Sequence, residues 1–308
     1  MKNKQQEIAA PSLELVKSSG PWRNFGLLAA ALMLTFSVPL YQLVRFAAGS
    51  ELYSYILLIP FASAYLAWAQ WRKLPPFSGP ARLLAAIFSL VGLAALAVYA
   101  LAGHAGLPLT EEDYLAGMGA ACWCFFMGGS YYFLGKETVR ALAFPIGLLV
   151  FMVPLPTFLL SGVEWFLQQG SALAAEGFFE LSGATFLRDG LVFQLPTITL
   201  QVAPECSGIH STLVLLITSM VAGHLFLRSP WKRTLLILAV IPLALLRNGF
   251  RVFVLGELCT HVGPEMIDSP IHHRGGPLFF GLSLIPFFLF LFFLWRSEQS
   301  DKNLKLDK

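Results

Sequence analysis

Three short stretches hold residue types that could do chemistry: Pro204-Glu205-Cys206-Ser207-Gly208-Ile209-His210, Arg247-Asn248-Gly249-Phe250-Arg251 and Ile271-His272-His273-Arg274-Gly275-Gly276. A cysteine just after Pro204, at the start of a predicted helix, meets unpaired N–H groups and the positive end of the helix dipole. Both favour the thiolate, which is the nucleophilic form. A thiolate that attacks a carbonyl needs an acid/base partner, and His272 or His273 offers an imidazole. It also needs positive charge where the oxyanion forms, and Arg251 supplies a permanent cation. Asn248 lies three residues before Arg251, so the two share one helix face. Cysteine, histidine and arginine with asparagine as orienter read as acyl transfer through a thioester.

The elements that must hold these groups are membrane helices. Of 308 residues, 56% are hydrophobic and 13% charged, and Phe alone occurs 27 times. A soluble domain carries about 25% charged residues, so this composition excludes a soluble enzyme, a disordered chain and a secreted disulfide scaffold. A net charge of +3 without a basic patch gives no reason to expect a nucleic-acid partner. Eight stretches have the length and apolarity of a membrane helix, at about 24–44, 53–71, 83–103, 114–134, 138–160, 207–227, 234–256 and 277–295. Strand-like alternation is absent from them, which predicts an all-α polytopic bundle. No small-x-small site follows the first run, so it is expected to be retained as an anchor.

With the N-terminus in the cytoplasm and eight alternating spans, sixteen of the 21 Lys and Arg fall inside, leaving Arg45, Arg188, Arg247, Arg251 and Arg274 outside. That bias predicts two cytoplasmic tails, 1–23 and 297–308, around one membrane domain, 24–296. It also brings the three polar stretches to the outer face at one depth, and arginine within a span usually marks function. The long outer segment 161–206 predicts an interfacial helix from Gly162 to Leu181. Trp165, Phe166, Phe178 and Phe179 would line one side, with Glu164, Gln168, Gln169 and Glu180 on the other. A polar turn at Arg188-Asp189-Gly190 and a strand-like run from Leu191 to Val202 follow.

At these residues the chain resembles the exosortase/archaeosortase family of membrane transpeptidases, most strongly over 143–280. Val202-Ala203-Pro204-Glu205-Cys206-Ser207-Gly208-Ile209 resembles that family's Cys-Ser-Gly box, Asn248-Gly249-Phe250-Arg251-Val252 its Asn-x-x-Arg box, and His272 with Gly276 its His-x-x-x-Gly box. Pro154-Leu155-Pro156 closes the fifth span as the resemblance requires. The resemblance implies Cys206 as nucleophile, His272 as general acid/base and Arg251 as oxyanion or substrate-orienting residue. It further implies an inner-membrane enzyme, without cofactor or metal, whose site faces the periplasm. Its substrates would be exported proteins ending in a short motif (commonly Pro-Glu-Pro), a membrane helix and a basic tail. A lipid or glycan of the cell envelope would accept the acyl group. His273 competes with His272, and Arg247, one turn before Arg251, could share its role; Ser207 is a further supporting candidate.

Other readings stay open at the level of sequence. Cys206 could pair with Cys259 in an oxidising compartment. Cys259, His261, His272 and His273 could hold zinc, although their spacing matches no zinc motif and His-Glu-x-x-His is absent. Glu205 could steady Arg251 or His272, or be a solvated loop acid. The arginines and histidines could instead line a transporter path for an anion, but no internal repeat is visible. Cys122 and Cys124 read as core thiols. His104, His210 and His224 read as loop or packing residues, with His210 one turn after Cys206.

Overall fold

The computed structural model describes residues 19–203, 207–268 and 275–306. They are overwhelmingly helical, as the composition requires of a chain that must satisfy its backbone without water. The chain divides into two compact units, one of residues 1–49 and 56–154, the other of 50–55 and 155–308.

The first unit holds α1 (Ser19–Thr35), α2 (Ser37–Gly49), α3 (Ile59–Gln70), α4 (Arg82–His104), α5 (Glu111–Phe133), α6 (Gly135–Ala141) and α7 (Ala143–Leu148). Helices α4 and α5 pair along their length, and α1 lies on α5. Thr110 and Asp113 close a reciprocal capping box at the start of α5, and Glu111, Glu112 and Asp113 occupy its first turn, where the dipole favours acids. Ser63 donates to the Pro145 carbonyl at 2.8 Å and Trp123 to that of Ile146 at 3.2 Å, tying α3 and α5 to α7. Cys124 is buried and Cys122 half-buried, both as free thiols.

The second unit carries α8 (Thr157–Ser182), a small antiparallel sheet, and then α9 (Ile209–Phe226), α10 (Pro230–Leu238), α11 (Val240–His261) and α12 (Gly276–Leu306). In the sheet, β1 (Leu187–Asp189) pairs with β2 (Val192–Gln194), and β2 with β3 (Thr199–Gln201). The polar turn at 188–190 and the strand-like run after it thus form a three-stranded meander. Glu176 on α8 forms an ion pair with Arg188 on β1, whose guanidinium also lies over the Phe193 ring at 5.8 Å.

Among the described residues, four helical stretches are long and apolar enough to cross a membrane: Arg82–His104, Ile209–Phe226, Pro230–His261 (α10 and α11 taken together) and Gly276–Gln299. The number rises to six if two interrupted pairs each make one span: Gly20–Thr35 with Ser37–Gly49, and Ala143–Met152 with Thr157–Ser182. The difference from eight apolar runs has identifiable causes. Run 53–71 contains an α-helix of only 12 residues, α3. Helix α5 dilutes its apolar residues with glycine, serine and an acidic first turn. Proline marks the interruptions: Pro154 and Pro156 lie in the break between Met152 and Thr157, and Pro39, Pro145 and Pro242 each lie four residues after the last residue of the preceding helix (Thr35, Ala141 and Leu238). A proline there has no N–H to give that residue's carbonyl, so the helix breaks between α1 and α2, α6 and α7, and α10 and α11.

The predicted helix over 162–181 is α8, but its faces are not those of the predicted amphipathic pattern. Leu167, Gln168, Ser171, Ala172, Ala175 and Phe179 form the buried stripe, whereas Trp165 and Phe166 are exposed. Position along a 3.6-residue period decides this, since 168, 171, 172, 175 and 179 fall on one face. That face packs against α11, and the sheet closes one end of the seam. Ala172, Ala175 and Phe179 meet Phe193, Leu200, Val202, Leu255 and Cys259 in one core. A second core joins α9, α10, α11 and α12 through Leu215, Leu236, Val240, Phe287 and Leu291.

Between membrane helices there is no hydrophobic force to squeeze water out, so contact quality must come from close packing of small residues. The α8–α11 seam is built that way. A methyl group on Gly249 would stand 2.5 Å from Ala174 Cβ and 2.8 Å from the Ala175 backbone nitrogen; one on Gly256 would stand 2.6 Å from the Phe179 ring.

Candidate active site

Helix α11 is the platform of the site. Arg247 and Asn248 are buried on it at 8% and 2% exposure, and Arg251 lies one turn further, half-buried. A buried guanidinium persists in a bilayer-type interior only if its N–H groups are engaged or kept for a ligand. Arg247 Nη2 donates to the Gly208 carbonyl at 3.1 Å and to Thr212 Oγ1 at 3.4 Å, which joins α11 to the entry of α9. Asn248 Nδ2 donates to Ser171 Oγ at 3.0 Å, which joins α11 to α8. Arg251, one turn further on α11, lies close enough for its charge to act on Arg247.

Gly208 is where the Cys-Ser-Gly stretch meets this platform. Its φ of 72° is left-handed, and a Cβ would approach Arg247 Nη2 to 2.8 Å and Asn248 Oδ1 to 3.1 Å. Backbone conformation and space therefore both demand glycine here. Its carbonyl also accepts from Ser211 Oγ at 3.0 Å and Thr212 Oγ1 at 2.8 Å. Because Gly208 is left-handed, α9 begins at Ile209 with Gly208 as its N-cap. The helix thus starts at Ile209, three positions later in sequence than Cys206, and not at the cysteine as the sequence predicts.

On the other side of residues 204–206 the chain is equally fixed. Gln168 Nε2, buried on α8, donates to the Val202 carbonyl at 2.9 Å, while the Val202 N–H donates to Leu191 at 2.9 Å. Ser207 is 1% exposed. Among the described residues, Ser207 Oγ and Arg247 Nη1 are buried side-chain atoms without a hydrogen-bond partner. The described end of the histidine stretch, from Gly275 on, leads into a contact with the same helix. Gly275 is buried, its carbonyl accepts from the Phe279 N–H at 3.1 Å, and the Phe279 ring packs on Phe250 with centroids 6.2 Å apart.

Of the residues singled out by sequence, the structure brings Arg247 and Asn248 to Gly208, the residue after the buried Ser207, and puts Arg251 one turn along the helix. Glu205, Cys206, His272 and His273 lie outside the described residues. Sequence reasoning missed three groups that hold the site, namely Gln168, Ser171 and Thr212. The i, i+3 spacing of Gln168 and Ser171 among small residues of α8 was the available signal. His210 takes a packing role: its Nδ1 is 3.0 Å from the Leu52 carbonyl. Cys259 is a free thiol inside the core of α8, α11 and the sheet. His261 pairs with Glu257 at 3.0 Å, and no three His, Cys, Asp or Glu gather as a metal-ligand group among the described residues.

Comparison with known proteins adds one finding. The model of a family described as transmembrane exosortase matches residues 47–289, well over half of the chain and reaching far upstream of the stretch where the motif resemblance is strongest. No curated protein and no solved structure matches the chain.

Proposed function

The chain belongs to the transmembrane exosortase family, membrane transpeptidases that act on sorting signals, and from that premise we propose that it works by cysteine catalysis with Cys206, His272 and Arg251. The Cys206 thiolate adds to the scissile carbonyl near the C-terminus of an exported protein, forming a carbon–sulfur bond and an oxyanion. Arg251 stabilises that oxyanion. Collapse breaks the carbon–nitrogen bond, and His272, or its neighbour His273, gives the leaving amine its proton. The same imidazole then takes a proton from an envelope acceptor, a lipid or glycan hydroxyl or amine, as that group displaces the thiolate from the thioester.

One observation carries this reading. The described flanks of the cysteine stretch and of the histidine stretch both come to α11 at 247–251: Gly208 through its bond from Arg247, and Gly275–Phe279 through Phe250. Cys206 is two residues from Gly208, and His272 three from Gly275. Counted over the eight alternating apolar runs, the 16-to-5 distribution of basic residues favours a site on the periplasmic side of the inner membrane, with both termini in the cytoplasm. The substrate's own membrane helix would dock beside the bundle and bring its scissile bond to the outer boundary.

The test is processing of a tagged host protein that ends in a motif, a membrane helix and a basic tail. Cells with the wild-type chain are expected to convert it to a shorter form. Cells with Cys206→Ala or Arg251→Ala are expected to retain the full-length form while the variant enzyme still accumulates in the membrane. Conversion by Cys206→Ala would overturn the mechanism.

A further inference from the structure

Two buried groups, Ser207 Oγ and Arg247 Nη1, have no hydrogen-bond partner and need an explanation. Buried polar atoms are almost always hydrogen-bonded, and each exception in a native structure calls for a cause. Here two exceptions are linked through one residue: Arg247 is bonded through Nη2 to Gly208, and Ser207 is the residue before Gly208. Both belong to side chains more than nine-tenths buried. Only half of the Arg247 fork is used by the fold, since Nη2 holds Gly208 and Thr212 while Nη1 holds nothing. They stand at the start of an 18-residue helix whose N-cap, Gly208, has no side chain to offer the first-turn N–H groups. A desolvated cation, a hydroxyl and a helix N-terminus together form a donor set that lacks an acceptor.

We propose that Arg247 Nη1 and Ser207 Oγ are oxyanion donors of the transpeptidation step, distinct from Arg251. When the thiolate sulfur adds to the carbonyl carbon, the carbonyl π pair moves onto oxygen, and that oxygen accepts from both donors. When the tetrahedral species collapses the pair returns, the amine leaves with a proton, and the two donors are again unpaired. An acceptor present only in the transition state explains why the resting site leaves them empty: interactions made only there raise the rate of the chemical step. Ser207 is joined directly to Cys206, so its donor moves with the nucleophile. Nη2, clamped on Gly208, fixes the plane in which Nη1 is offered.

This inference rests on Cys206 being the nucleophile, and the experiment separates the two. Full-length protein in lipid nanodiscs is assayed under single turnover with a peptide carrying the motif, helix and basic tail. Ser207→Ala removes a hydroxyl that bonds to nothing, so it is expected to unfold at the same or a higher temperature than wild type, while its cleavage rate falls about 100-fold at saturating substrate. The half-saturating substrate concentration should stay unchanged. Arg247→Lys keeps the charge but loses the fork and should lose rate in the same way; Arg247→Gln should lose more. A wild-type rate in Ser207→Ala, or a loss confined to half-saturation, would overturn the proposal; the second result would assign the pair to a resident anionic group of the substrate instead. If Cys206→Ala cleaves as wild type does, the underlying reading fails whatever Ser207→Ala does.

Discussion

Two arginines one turn apart on a single apolar helix are an expense that packing alone does not require, and the sequence exposes them for that reason. Charge in a membrane span is rare enough for Arg247, Asn248 and Arg251 to stand out without any knowledge of their partners. Their partners were not legible. Gln168 sits beside Gln169 and one turn after Glu164 on α8 and reads as part of a wet face, yet it is buried at 8% exposure and holds the Val202 carbonyl at 2.9 Å. Polarity in a sequence tells that a group needs a hydrogen bond, not where the bond is made. Gln168→Ala would leave that buried carbonyl without its side-chain donor, at a cost of about 1–3 kcal/mol. The expected outcome is a lower unfolding temperature in detergent together with slower processing, because the segment entering Cys206 loses its upstream anchor. Full stability with wild-type processing would show that Val202 needs no such anchor.

At the level of elements, the helices around the site followed from their apolar runs: α9, α11 and α12 lie where the sixth, seventh and eighth runs predict them. The interruptions did not, although Pro39, Pro145 and Pro242 were in view; a hydropathy run averages over the one missing N–H that breaks the helix. Nor did composition reveal that α8 and α11 approach through glycine. Gly249 and Gly256 face Ala174, Ala175 and Phe179 at distances no side chain tolerates, whereas Gly177 on α8 has open space around it. Gly249→Leu therefore has to push α8 and α11 apart, costing about 1–3 kcal/mol or more, since the obstacle is backbone as well as side chain. Because Asn248 reaches Ser171 across that same seam, processing should fall with stability. Gly177→Ala should unfold and process as wild type does. Thermal unfolding of the two purified variants beside wild type checks both expectations, and equal stability of Gly249→Leu would mean that the seam is looser than its distances imply.

The whole molecule is read from the imbalance of its few charges. Counted over the eight alternating apolar runs, sixteen basic residues fall on one side and five on the other, so both tails should be cytoplasmic and the β1–β2 hairpin periplasmic. A cysteine introduced at Asp189 should react with a membrane-impermeant maleimide added to intact cells, and one introduced at Lys302 only after the membrane is opened; the reverse pattern would invert the orientation and remove the site from its exported substrates. Family, helical class and the α11 platform were all legible because membrane insertion and buried charge impose strong, local rules on composition. The two clamps, Gln168 on Val202 and Arg247 on Gly208, were not, because each joins residues distant in the chain. Chemistry at Cys206 is tested most directly by capturing the covalent intermediate. Purified enzyme would be mixed with a peptide bearing the motif, helix and basic tail, quenched in acid and digested for mass spectrometry. The expected result is the N-terminal part of the peptide attached to Cys206 through a bond that neutral hydroxylamine releases, with no adduct in Cys206→Ala. Cleavage by Cys206→Ala, or an adduct on another residue of the wild-type chain, would contradict it.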